Sequence, residues 1–389
     1  MPLGRRIAPG IRKAGRRVAQ AAATGVTIRE VARAAGVSVA TVSRVVNGTA
    51  VVRDETRHRV EAEVSRLRYS PNAAARSLIT NRTSTIGVVL PDIWGEYFSE
   101  VIRGIDFSAR QAGYHVLVSS SHSDVAETRD VLRTMHGRVD GVIVMSPHAP
   151  PRALEGCLPP SLPVVFLNSA PGGALQPALN VDNRGGARAM VTYLLGLGHR
   201  RLAFVTGPAS NFDASERRRG CRDALSAAGL PPEAGVEVEG DFSEESGHAA
   251  GEAIVRLSPR PTAIFAANDS MAIGVLFALR QAGVRVPDEI AVAGFDDIPI
   301  ARFASPPLST VRLDIRTLGE RALAWLLVEL SGEGTSPAVR EVLPIRLVLR
   351  ESTGARGEES AAGPPRTTSV SPLVPGTPVD SVARRRKAS

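Results

Sequence analysis

From residue 85 to residue 330 the chain alternates short apolar runs with amphipathic segments, and this alternation restricts its fold more than any other feature. The apolar runs are 85–90, 115–119, 141–145, 163–167, 201–206, 262–267 and 290–294. The amphipathic segments lie near 98–112, 125–136, 184–197, 215–228, 244–257, 269–282 and 316–330. Strand and helix in alternation predict an α/β fold of parallel sheets covered by helices. The strands are too many for one modest sheet, so two lobes are expected. Ligands in such sheets bind beyond the carboxyl ends of the strands. The residues following each run are therefore of interest: Pro91-Asp92, 119–124, Asn168-Ser169, 207–213, Asn268-Asp269 and Phe295-Asp296-Asp297.

A chain of 389 residues suits two or three domains, and a hydrophobic fraction of 43% permits large cores. No run of 18 apolar residues occurs, so no membrane span is expected. Residues 1–23 carry Arg5, Arg6, Arg12, Lys13, Arg16 and Arg17 and no acid. They lack the apolar core and cleavage pattern of a secretory signal, so a cytoplasmic protein is expected. Cys157 and Cys221 have no metal-ligand spacing and read as reduced structural thiols. No metal or other cofactor is expected. The formal charge of +8 is uneven: residues 1–82 hold 16 Lys/Arg and five acids, and residues 351–389 hold six and four. The chain between them is net acidic. Positive charge is concentrated where phosphate neutralisation would use it.

Before residue 85 the pattern is different. Thr27 can cap a helix, with Glu30 reaching back to it as a capping box. Ile28, Val31, Ala32 and Ala35 then form one apolar helical face. Gly36 suits a sharp turn. Ser38 can cap a second helix that points Val42, Val45 and Val46 inward and ends near Gly48. Helix, short turn, helix is either an ordinary helical hairpin or the DNA-binding helix-turn-helix. Residues 54–67 predict a third helix, with Val60, Val64 and Leu67 on one face and Asp54 and Glu55 at its positive end. Tyr69-Ser70-Pro71 breaks it, and Asn72 can cap a short segment, 73–78.

The residues of this stretch resemble the amino-terminal headpiece of the lactose-repressor (LacI/GalR) family of bacterial transcription regulators. The resemblance rests on Val26-Thr27-Ile28, Ala35-Gly36-Val37-Ser38, Thr41-Val42-Ser43-Arg44-Val45-Val46-Asn47-Gly48, Thr56-Arg57, Arg66-Leu67-Arg68-Tyr69-Ser70-Pro71-Asn72 and Ala75-Arg76-Ser77-Leu78. It continues to about residue 353 through Pro91-Asp92, Tyr97-Phe98, Arg103-Gly104-Ile105, Gly198-His199-Arg200-Arg201, Glu216-Arg217, Ala267-Asn268-Asp269 and Gly294-Phe295-Asp296-Asp297. The resemblance implies a headpiece at 25–71, a hinge at 72–83 and a two-lobed effector-binding and dimerisation domain at 84–353, like the periplasmic sugar-binding proteins. Lobe 1 would take about 84–181 and 314–342, and lobe 2 about 182–313 and 343–353. Residues 1–24 read as a basic disordered arm. Residues 354–389, rich in Gly, Pro, Ser, Thr and Ala, read as a disordered tail without a leucine heptad.

The resemblance also implies roles. Its DNA-binding set maps onto Thr27, Ser38, Val39, Ala40, Thr41, Ser43, Arg44, Asn47, Asn72, Ala75 and Leu78. Val39 and Ala40 stand where the family chooses operator bases; being small and apolar, they can meet a thymine methyl. Arg44 can reach guanine O6 and N7. Ser38, Thr41 and Ser43 suit phosphates, or merely cap their helix. Leu78 matches the hinge leucine that wedges into the minor groove. The effector set maps onto Asp92, Tyr97, Phe98, Asn168, Phe212, Arg217, Asn268 and Asp296. Arg217 and Asp296, facing each other across the interlobe space, would grip vicinal hydroxyls. Asn168 stands where many sugar-binding relatives have an acid.

These readings converge on a cytoplasmic, nucleoid-associated homodimer that represses transcription from near-palindromic operator DNA and responds to a small sugar-like effector. Two other readings share the two-lobed body. A solute-binding receptor would have no use for the headpiece. A sugar-processing enzyme would need an acid–base or nucleophilic arrangement, and adjacent Asp296 and Asp297 do not by themselves supply that geometry.

Overall fold

The computed structural model describes residues 26–48, 51–70, 82–154, 156–158, 161–170, 177–332 and 340–355. The basic arm, the hinge residues Asn72, Ala75 and Leu78, and the tail beyond 355 lie outside the described residues.

The headpiece is three helices: α1 (Ile28–Ala35), α2 (Val39–Asn47) and α3 (Asp54–Arg66). Thr27 and Glu30 form the expected capping box. Gly36 turns the chain with φ 62°, a left-handed conformation that glycine adopts without strain. Ser38 caps α2 by accepting from the Thr41 N–H. Arg53 contributes no side-chain cap to α3, so Asp54 and Glu55 in its first turn carry the favourable charge there. Val31, Ala32, Ala35, Val42 and Val60 make a small closed core, with Val45, Val46, Val64 and Leu67 packed around it.

The body contains two six-stranded sheets with helices on their faces. The first comprises β1 (Thr85–Leu90), β2 (His115–Ser120), β3 (Gly141–Met145), β4 (Val164–Leu167), β5 (Ala178–Val181) and β11 (Arg340–Leu343), in the order β11-β5-β4-β3-β1-β2. The second comprises β6 (Leu202–Thr206), β7 (Gly235–Glu239), β8 (Ala263–Ala266), β9 (Ala291–Asp296), β10 (Ser309–Arg312) and β12 (Arg346–Val348), in the order β12-β10-β9-β8-β6-β7. Among the described residues all pairings are parallel except β10 with β12. The chain passes between the sheets three times: after β5, after β10, and between β11 and β12. Each sheet reverses its order of connection once, between β1 and β3 and between β6 and β8. These switch points are where such sheets open a crevice for a ligand.

The covering helices are α4 (Glu96–Gln111), α5 (Val125–Met135), α6 (Asn183–Gly196), α7 (Phe212–Ala227), α8 (Glu244–Val255), α9 (Asp269–Gln281) and α10 (Ile315–Ser331). All seven expected runs and all seven expected helices are present, their ends displaced by three residues at most and two of the runs, 85–90 and 141–145, matching at both ends. The strands β5, β7, β10, β11 and β12 are additions to the sequence reading. Each is three to five residues long, and β7, β11 and β12 are edges that bury little. The terminal strand of the second sheet therefore escapes any signal based on apolar runs.

Helices on the same face cross with their backbones touching. A methyl group on Gly274 of α9 would lie 2.1 Å from the Glu244 carbonyl of α8, and one on Gly247 of α8 would lie 2.2 Å from the Met271 carbonyl. Gly104 of α4 and Gly319 of α10 meet in the same way. Gly274→Ala should therefore destabilise the body by about 1–3 kcal/mol through overpacking. Gly196→Ala, with nothing within 4 Å of the added methyl, should be neutral or mildly stabilising. Denaturant unfolding of the two variants beside the parent checks this contrast.

Candidate functional site

The outward face of α2 carries Val39, Ala40, Ser43, Arg44 and Asn47, spaced so that they share one side of the helix. Val39, Ala40, Arg44 and Asn47 are exposed, whereas Val42 is fully buried beneath them. The polar residues between have local partners. Ser38 Oγ lies 2.9 Å from Thr41 Oγ1, and Asn47 Nδ2 donates to Ser43 Oγ at 3.1 Å. The hydroxyls of Ser38 and Thr41 thus serve the helix start, and Val39, Ala40 and Arg44 are the side chains free to meet another surface. Thr27 and Glu30 hold each other at the start of α1.

Between the lobes lies a cavity of about 310 Å³, walled by the segments that follow β1, β2, β3 and β4 on one side and β6, β7, β8 and β9 on the other. The lobes touch around it. The Phe212 N–H donates to the Pro147 carbonyl at 2.9 Å, and the Ile300 N–H donates to Glu96 Oε2 at 2.8 Å. His148 lies 3.4 Å from Asn211 at the same junction, and partial burial lowers its pKa.

The floor of the cavity is a charged network within the second lobe. Arg217, 5% exposed, reaches in from α7. Its Nε donates to Asn183 Oδ1 at 2.7 Å, its Nη1 donates to the Ala267 carbonyl, and its guanidinium lies 3.8 Å from the centre of the Phe295 ring. Asn183 in turn donates to Asp213 Oδ1 at 2.9 Å. Arg217 Nη2 approaches Asp296 Oδ1 to 3.2 Å, an ion pair without hydrogen-bond alignment, so Oδ1 has no hydrogen-bond donor. This corrects the expectation for the pair. Arg217 and Asp296 do not face each other across the interlobe space; they stand side by side on one lobe, because β9 extends through Asp296 and lies beside the site that α7 enters.

The other expected residues divide. Tyr97, Phe98, Asn168, Asp92 and Asn268 all line the cavity. Tyr97 accepts from Asn168 Nδ2 at 2.9 Å and sets its ring edge-on to Phe98, 5.4 Å between centres. Burial, and then repulsion from Asp296 and Asp213, raises the Tyr97 pKa. Asn168 Oδ1 is buried without a partner. Asp92 accepts from the backbone N–H groups of Ile93 and Trp94, and Asn268 caps α9 through Met271 while donating to the Phe242 carbonyl. These two residues therefore shape the wall as well as line it. Phe212 is not part of the lining; it begins α7 and offers its backbone to the other lobe.

Sequence reasoning missed Asp213, Asn183, His148, Trp94 and Phe242. Asp213 ends the stretch after β6 that the strand pattern had marked, so its position was legible but its role was not. Asn183 follows a crossing between lobes and carries no local signal.

Two carboxylates share one guanidinium on this floor. Burial pushes the Asp213 carboxyl up to about 7, Arg217 opposing and Asp296 reinforcing the shift. Burial likewise lifts Asp296 to about 6 against the pull of Arg217. In the unfolded chain an aspartate ionises near 3.8. Between these values the folded state holds protons that the unfolded state has lost, so stability falls as pH rises from about 4 towards 7. Asp213→Asn keeps the acceptor for Asn183 and removes the ionisation. Its melting temperature should decline less than the parent's between pH 5 and 8, measured without ligand by circular dichroism.

The comparisons with known proteins agree with this architecture. Residues 27–72 match bacterial regulatory proteins, lacI family, and residues 191–353 match the periplasmic binding protein-like domain. The HTH-type transcriptional repressor PurR of Photobacterium profundum is 35% identical over 84% of this chain and 98% of its own length. The ribose operon repressor of Escherichia coli (strain K12) is 37% identical over 77% of this chain and 92% of its own. A crystal structure of the lac repressor dimer bound to operator and the anti-inducer ONPF superposes with a TM-score of 0.76 at 32% identity, covering 85% of this chain and 100% of that one. The two-part body and the helix-turn-helix define a DNA-binding transcription regulator. The chain belongs to the lacI family of bacterial regulatory proteins. Among the described residues no helix is long and apolar enough to cross a membrane.

Proposed function

We propose that this protein is a cytoplasmic, nucleoid-associated repressor that binds a near-palindromic operator as a homodimer and is released by a small polyhydroxylated effector, which it binds without turning over. The observation that carries the reading is the joint presence of an exposed α2 face and an interlobe cavity with a buried charged floor. Residues 25–71 are the headpiece, 72–83 the hinge, and 84–353 the effector and dimerisation domain. Arg44 reads guanine, and Val39 and Ala40 meet thymine methyls. Thr27, Ser38, Thr41, Ser43 and Asn47 place the headpiece against phosphates, and Asn72, Ala75 and Leu78 act in the hinge. Arg217, Asp296 and Asn168 hold the effector, with Asp213 added to them, and Tyr97 and Phe98 close its apolar side.

Effector binding transmits to DNA only through a difference in affinity between two lobe arrangements, a coupling of about 1–3 kcal/mol in such systems. By reciprocity operator DNA weakens effector binding by the same factor. Titration of a ligand found by thermal-shift screening into parent, Arg217→Ala and Asp296→Ala proteins, with and without operator, checks this. Both variants should lose affinity, and operator should lower the parent's. Equal affinity in all three proteins removes the floor from the site.

For the headpiece, Arg44→Ala should cost about 1–3 kcal/mol of operator affinity and flatten one base preference in a binding-site selection. An unchanged selected motif would remove Arg44 from base readout.

A further inference from the structure

The cavity runs from a buried end to an open one, and the two ends differ in chemistry. At the buried end Asn168 and Asp296 are 2% and 5% exposed, and the Oδ1 atom of each lacks a hydrogen-bond donor. Asn168 Oδ1, buried without a partner, is costly there until a ligand supplies a donor, and Asp296 Oδ1 keeps only its unaligned ion pair with Arg217. At the open end the same cavity is lined by Trp94, a residue that is 82% exposed. The backbone beneath that indole is fixed: Asp92 Oδ1 accepts from the Ile93 N–H at 2.7 Å and the Trp94 N–H at 3.0 Å. Trp94 is thus a large apolar face at the mouth of a polar cavity, left largely uncovered by the rest of the chain.

The charge of the lining narrows the ligand further. Seven carboxylates face the cavity, and Arg217 is the one Lys or Arg among the lining residues. Carboxylates accept hydroxyl protons well and repel an anion at close range.

We infer that the effector is an uncharged saccharide of at least two rings, one ring bound by Asn168, Asp213, Arg217 and Asp296 and the next stacked on Trp94 at the mouth. This rests on the effector reading above and specifies its ligand. Burying the indole against a ring face adds apolar contact that a monosaccharide cannot make, while the floor groups fix the orientation of the inner ring.

The full-length protein is titrated calorimetrically with glucose, galactose, xylose, cellobiose, lactose, maltose, xylobiose and glucose 6-phosphate. Tryptophan fluorescence is read in parallel, since the chain has only Trp94 and Trp325. The expected result is a disaccharide that binds at least tenfold tighter than its own monosaccharide and perturbs the emission. Trp94→Ala should abolish that tenfold advantage and leave monosaccharide affinity within twofold. Because Trp94 is exposed, the variant should fold as the parent does, and its melting temperature verifies this. Trp94→Phe should restore part of the advantage. A monosaccharide that binds as tightly as every disaccharide, tightest binding by glucose 6-phosphate, or equal losses for both sugar sizes in Trp94→Ala overturns this inference and leaves the effector reading standing. No saturable binding by any sugar overturns both.

Discussion

A guanidinium that is 5% exposed must find its partners within the protein, and the second lobe is arranged to supply them to Arg217. Asn183 comes from the start of α6, the Ala267 carbonyl from the end of β8, Asp296 from the end of β9, and Phe295 gives its ring as a platform. One side chain therefore ties together elements that lie far apart in sequence. Removing a partner from a buried charge leaves it uncompensated, which is more damaging than the pair is stabilising. The same crowding explains the raised carboxyls of Asp213 and Asp296: two acids are buried beside one base. Once both acids ionise the floor is one positive charge short, and hydroxyl donors are a natural complement.

The two sheets turn the carboxyl ends of their parallel strands towards this floor from opposite sides. Three chain crossings join the lobes and limit how they can move apart. Among the described residues the hydrogen bonds between them at the cavity are few and local, the Phe212–Pro147 and Glu96–Ile300 bonds among them. Covalent connection in three places with sparse direct contact suits a pair of bodies that shift as units. In the proposed function a ligand in the cavity biases that shift, and only its differential affinity for the two arrangements can do so.

The helical layers show how small residues set distance. Gly247 and Gly274, like Gly104 and Gly319, let backbone meet backbone, which fixes how closely α8 approaches α9 and α4 approaches α10. That spacing in turn sets where Asn268, at the start of α9, and Tyr97, in the first turn of α4, present themselves to the cavity.

Much of this was legible in the chain itself. The capping box of Thr27 and Glu30, the left-handed turn at Gly36, the Ser38 cap and the seven strand–helix alternations all depend on residues within a few positions of one another. Local chemistry decides such features, so the sequence determined them. It also determined that Asp92, Asn168, Asn268 and Asp296 would lie at the carboxyl ends of strands. What only the tertiary structure decided is what each of these residues does there. Arg217 and Asp296 share one lobe, Phe212 turns its backbone across the cleft and stays out of the lining, and Asn183 and Asp213 join the floor from positions 30 residues apart. These outcomes follow from which strand ends the sheets bring side by side and from how much burial each charge suffers. Both are sums over distant contacts, and no local run of residues contains them.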